Sequence, residues 1–329
     1  DIPGTPDTPS IRTTAKDSET HEHISKADSK VTIIDTVSYT GLTPGQEYTL
    51  KGVLMDKETG KELLANGKPV TAEKVFTPEK SSGTVDMEFT FDGSKLENMA
   101  TVVFEELYKN IDTDKDGKPD TPEDKLAAAH KDITDEGQTI YFPKIKTNAT
   151  DSETEDHISN ADKKVTIKDE VTYYNLIPGK EYTVSGVLMD KETGKALLVD
   201  GKKITAEKTF VADSANGSVT LEFTLDASAL AGKATVVFES LKYDGKEVAV
   251  HKDIKDKNQT VIFKKKIGTV ELTPPKGPNP YDDTSITVEP ITPETGDTAN
   301  LLIWIALAVM ACLALFEIYR KVRTKERKE

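Results

Sequence analysis

The chain has 329 residues, 36% hydrophobic and 30% charged, a balance that suits about two well-solvated domains plus tails. Its net charge of −14 argues against a nucleic-acid target, which needs a basic face. The single cysteine, Cys312, lies in a C-terminal apolar run, so disulfides and cysteine-held metals are excluded from the folded part.

Residues 1–10, opening Asp1-Ile-Pro-Gly-Thr-Pro, read as a linker. The start at Asp1, with no leader, reads as a processed or truncated piece. Ile11–Glu105 then aligns without a gap to Ile145–Glu239, and more than half of the positions are identical. Val53-Leu-Met-Asp-Lys-Glu-Thr-Gly-Lys61 returns letter for letter at Val187–Lys195. This is a duplicated domain, with copies at 11–143 and 144–264. The first copy carries an acidic insertion, 110–124, between Glu105 and His130 that the second lacks.

Within the first copy, Val31–Ile34, Tyr48–Leu54, Val85–Phe91, Thr101–Phe104 and Thr139–Phe142 are rich in β-branched and aromatic residues and are predicted strands. Pro44-Gly45, Thr59-Gly60, Asn66-Gly67 and Asp92-Gly93 punctuate them as turns. No repeat segment holds a helical apolar period. The expected fold class is all-β, with two tandem immunoglobulin-like β-sandwich domains.

Thr13, Glu105, His130, Asp135 and Gln138 recur as Thr147, Glu239, His251, Asp256 and Gln259. Alternation puts Ile11, Thr13 and Ala15 on one inward face, and Thr14 becomes Asn148, so Thr13 is the candidate nucleophile. A Thr hydroxyl needs a base to take its proton. His130 and Asp135 can carry protons, and a buried, protonated Glu105 can polarise the Gln138 carbonyl. The product is a Thr–Gln ester with loss of ammonia. Any one of these residues alone would be ordinary strand composition. Five retained together in drifting copies point to a self-made cross-link. Closing a loop of this size would add about 4–5 kcal/mol by analogy with a disulfide.

The insertion fits a calcium-loop spacing, with Asp112, Asp114 and Asp116 at its first, third and fifth positions. The Lys118 carbonyl, Asp120 and Glu123 complete the set; no cofactor is required, because the second copy lacks the loop. His21, His23 and His157 lie in polar segments near the first strands and read as solvated, with metal binding the alternative. Lys144, after Tyr141-Phe-Pro143, faintly resembles a pilin lysine. No Walker loop, nucleophile elbow or His-Glu-x-x-His is present, so the chain is not expected to be an enzyme beyond forming its own cross-links.

After the repeats comes a Pro-rich spacer, 265–290. Residues 291–329 hold Thr292-Pro-Glu-Thr-Gly296, an apolar run that makes 301–319 a transmembrane helix, and a basic tail from Arg320. This resembles the Leu-Pro-x-Thr-Gly sorting signal of Gram-positive cell-wall proteins, with Thr292 where Leu is usual. It implies sortase cleavage between Thr295 and Gly296 and attachment to peptidoglycan.

The repeats themselves resemble the VaFE-repeat surface proteins, whose domains carry intramolecular Thr–Gln ester bonds. Val102-Val-Phe-Glu105, Val236-Val-Phe-Glu239, the Thr-x-Ala openings and the His-x4-Asp-x2-Gln endings carry the likeness. The resemblance implies collagen-adhesin B-type sandwiches with Thr13–Gln138 and Thr147–Gln259 bonded. Glu105, His130 and Asp135, and their counterparts Glu239, His251 and Asp256, would promote the reaction. The expected function is the extracellular stalk of a cell-wall-anchored adhesin, with a host ligand bound by a region before Asp1. A sortase-polymerised pilin using Lys144, and repeats that bind a host protein directly, are the alternatives.

Overall fold

The computed structural model describes residues 8–110 and 126–264. Among the described residues, the first repeat has the strands β1 (Ser10–Asp17), β2 (Val31–Thr40), β3 (Tyr48–Asp56), β4 (Leu64–Ala65), β5 (Lys68–Pro69), β6 (Thr71–Phe76), β7 (Gly83–Phe91), β8 (Met99–Lys109), β9 (Leu126–His130) and β10 (Thr139–Phe142). One sheet has the order β1-β2-β7. The facing sheet has the order β10-β8-β3-β6, and β9 also pairs with β8, beyond the end of β10.

The expected strands are present and most run longer than their apolar stretches. Alternation explains why. β1 buries Ile11, Thr13, Ala15 and Asp17 and exposes the residues between. β2 continues past Ile34 with Asp35, Val37 and Tyr39 all facing inward. Both sheets contribute to one core, in which Ile33 and Phe89 meet Leu50, Leu54, Leu107 and Phe142. Fully burying a side chain such as Phe89 is worth about 2–3 kcal/mol. Asn66-Gly67 forms the tight β4–β5 turn, with φ of 52° and 78°. That left-handed pair is what a two-residue hairpin of matching twist requires.

The second repeat repeats the plan: β11 (Lys144–Asp151), β12 (Ile158–Asn160), β13 (Val165–Tyr174), β14 (Glu181–Asp190), β15 (Leu198–Val199), β16 (Lys202–Lys203), β17 (Thr205–Val211), β18 (Gly217–Leu225), β19 (Ala234–Tyr243), β20 (Lys246–His251) and β21 (Thr260–Lys264). Its sheets run β11-β13-β18 and β12-β21-β19-β14-β17, with β20 on β19. In both repeats the first strand is the edge of its three-stranded sheet; the last strand is the edge of the facing sheet in the first repeat and is covered by β12 in the second.

Candidate functional site

In the first repeat, β1 supplies Thr13 and β8 supplies Glu105, which is opposite His130 of β9 in register. The chain then turns through a one-turn 3-10 helix, Glu136–Gln138, before entering β10. Asp135 caps that turn by accepting from the Gly137 N–H at 2.7 Å. The five residues singled out from the sequence thus converge between β1 and the β9–β10 edge. Gln138 and Glu105 are fully buried and Thr13 is nearly so.

Thr13 Oγ1 lies 3.3 Å from His130 Nδ1 and 3.4 Å from Glu105 Oε2. The Gln138 amide nitrogen donates to Thr13 Oγ1, and to Glu105 Oε2 at 2.6 Å. His130 Nε2 sits 3.1 Å from Asp135 Oδ2. A carboxylate on Nε2 holds the ring proton there and leaves the Nδ1 lone pair facing Thr13. Nucleophile, base and orienting acid are therefore in line.

Burial and the neighbouring Asp35 carboxyl push Glu105 up to about 10. Asp35 itself is fully buried on β2, and burial raises it to about 6. Burial and the closeness of the two carboxyls disfavour ionising both, so the pair retains a proton, held more strongly at Glu105. The protonated Glu105 carboxyl hydrogen-bonds the Asp35 carboxylate, whereas Gln138 Oε1 has no hydrogen-bond partner.

The second site gathers the same residues but makes fewer of the contacts. Gln259 Nε2 donates to Glu239 Oε2 at 2.5 Å, and His251 Nε2 lies 3.0 Å from Asp256 Oδ2. Burial and Asp169 push Glu239 up to about 10, while burial raises Asp169 to about 6. Thr147 Oγ1 and His251 Nδ1 are buried without the hydrogen bond that joins Thr13 to His130 in the first repeat.

Asp35 and Asp169 were not among the sequence-derived candidates. Their signal was present: a carboxylate at an inward strand position, in both copies. Other candidates fall elsewhere. His23 Nδ1 is buried without a partner and His157 Nδ1 meets the Ala149 carbonyl at 2.8 Å, so neither ring is simply solvated. Lys144 opens β11 and pairs with Glu97 at 3.0 Å. No metal-holding cluster of His, Cys or carboxylates occurs among the described residues. The calcium-loop residues Asp112, Asp114, Asp116, Lys118, Asp120 and Glu123 lie outside the described residues, as do the sorting motif Thr292, Pro293, Glu294, Thr295 and Gly296 and the segment 301–319.

No curated protein matches the chain. Among solved structures, a bacterial adhesin from Mobiluncus mulieris containing intramolecular disulfide, isopeptide and ester bond cross-links is 13% identical, with a TM-score of 0.33, over 73% of this chain and 83% of that one. Its other crystal form gives 14%, 0.33, 72% and 82%. A β-glucuronidase from Bacteroides uniformis is 10% identical, with a TM-score of 0.24, over 67% of this chain and 25% of that one. Likenesses this distant bear on neither substrate nor partner. The T-Q ester bond containing domain, by contrast, matches residues 9–142 and again residues 143–263. The chain therefore belongs to the T-Q ester bond containing domain family, with one copy in each sandwich.

Proposed function

We propose that each repeat closes an ester between its threonine and its glutamine, and that the two locked repeats serve as the stalk of a cell-wall-anchored surface adhesin. The observation that carries this reading is the meeting of Thr13 Oγ1, His130 Nδ1, the Gln138 amide and a protonated Glu105 in a buried site between first and last strands.

The steps follow from the groups present. Half a rotation of the Gln138 amide brings its unpartnered Oε1 to the Glu105 carboxyl, which then donates to it and polarises the carbonyl. Thr13 Oγ1 attacks the amide carbon while its proton passes to His130 Nδ1. The tetrahedral oxyanion is held by the Glu105 proton. His130 returns its proton to the departing nitrogen, the C–N bond breaks, and ammonia leaves. Thr hydroxyl and Gln amide have become an ester and ammonia, with no other reagent consumed. Asp135 keeps the His130 ring in the tautomer that this exchange needs.

The mechanical role follows from connectivity. Tension applied at the ends of a repeat enters at β1 and leaves at β10. A Thr13–Gln138 bond carries it across directly, so the strands between are shielded from load. The sorting-signal resemblance of residues 291–329 supports attachment to peptidoglycan by sortase, with the repeats outside the membrane. The engagement of Lys144 with Glu97 weighs against the pilin reading.

Stretching the intact chain between its ends by single-molecule force spectroscopy tests the stalk. The unsubstituted repeats are expected to release no unfolding length, whereas the Thr13→Ala, Thr147→Ala chain releases both. Low-force unfolding of the unsubstituted repeats would overturn the reading.

A further inference from the structure

Lys57 follows β3, in the segment that the two copies share letter for letter, and nothing in the ester chemistry above uses it. Its backbone N–H donates to the Ala100 carbonyl at 3.0 Å, and Asp56 Oδ1 staples the turn by accepting from the N–H groups of Glu58 and Thr59. From this fixed base its ammonium donates to Thr139 Oγ1 at 2.9 Å. Thr139 Oγ1 in turn donates to the Asp135 carbonyl at 2.7 Å, and that carbonyl also accepts from the Gln138 N–H at 3.3 Å. The carbonyl thus closes the turn that carries both Asp135 and Gln138.

The second repeat builds the same chain from Lys191, Thr260 and Asp256. Lys191 Nζ donates to Thr260 Oγ1 at 2.7 Å, and Thr260 Oγ1 to the Asp256 carbonyl at 2.5 Å. What surrounds it has changed. Lys57 also pairs with Glu136 at 2.7 Å and lies 5.5 Å from the Tyr141 ring centroid. The corresponding residues in the second repeat are Lys257 and Ile262, which offer neither contact. Of these three side-chain contacts only the one to the hydroxyl is made in both copies.

We infer that Lys57 and Lys191 are positioning residues for ester formation, each acting through the following threonine hydroxyl to hold the turn that presents the glutamine amide to its nucleophile. The inference rests on the ester reading above. A donor chain running from an ammonium through a hydroxyl to a carbonyl strengthens each of its bonds. A small displacement of the amide carbon from Thr13 Oγ1 is enough to slow the attack steeply.

The test follows ammonia loss by mass in the intact chain, with peptide mapping to separate the Thr13–Gln138 and Thr147–Gln259 cross-links. Lys57→Met and Thr139→Val are expected to slow the first cross-link about tenfold or more and leave the second at its normal rate. Thr139→Ser, which keeps the hydroxyl, restores the rate, whereas Glu136→Gln leaves it unchanged. In a Thr13→Ala background, where no first ester forms, Lys57→Met is expected to leave the melting temperature close to that background. A large melting shift there, or a normal first-repeat rate in both Lys57→Met and Thr139→Val, would overturn the positioning role. Absence of both cross-links from the unsubstituted chain would instead defeat the ester reading itself.

Discussion

At the scale of single residues, the decisive pair is Asp35 with Glu105, and Asp169 with Glu239. Each glutamate is pushed up to about 10 and each aspartate to about 6, with burial the leading cause. The folded chain therefore keeps protons that the unfolded chain releases near ordinary carboxylate values. Stability from this source is full below the unfolded values and is lost as pH rises toward the folded ones. Denaturant midpoints of the unreacted Thr13→Ala, Thr147→Ala chain are expected to fall steadily from about pH 5 to about pH 10. A flat profile would contradict a protonated glutamate in the site. Thr13, Glu105, His130, Asp135 and Gln138 were legible because they recur as a set and because alternation pointed Thr13 inward. Asp35 was not, since Asp is a poor strand former and the predicted strand stopped at Ile34. Tertiary burial carried β2 on to Thr40 and took the carboxyl inside.

At the scale of strands, Gly52 shows how the site is sealed. It is opposite Glu105 in the β3–β8 register, and a Cβ there would stand 2.6 Å from Phe89 Cζ and 2.3 Å from Met87 Cε. Gly186, opposite Glu239, meets Phe223 and Leu221 in the same way. The facing sheet thus presses apolar side chains onto the strand beside the buried acid, and only a missing side chain allows it. Met87 Cε can swing aside, but the Phe89 ring has less freedom. Gly52→Ala is expected to destabilise the first repeat by about 1–3 kcal/mol in denaturant melts, and no loss would mean that the sheets are loosely packed there. Turns such as Asn66-Gly67 were readable from local chemistry alone. The close approach at Gly52 was not, because it depends on what the other sheet brings.

At the scale of the whole molecule, the repeats also touch each other. Lys26 pairs with Glu247 at 2.8 Å, the Asn175 side chain donates to the Met99 carbonyl at 2.6 Å, and Ile24 is fully buried with core residues of the second repeat. Duplication was plain in the sequence, whereas the polar contacts use residues that differ between the copies: Lys26 becomes Asn160 and Asn175 replaces Gly41. Load leaving Gln138 passes through β10 and the start of β11 before it reaches Thr147, a short path braced by this junction. Everything mechanical in this account depends on the bonds being made. The most direct measurement is the intact mass of the purified chain before and after mild base. The account predicts a deficit of two ammonia molecules, with base hydrolysis adding two waters. A mass equal to that of the unmodified sequence would contradict it.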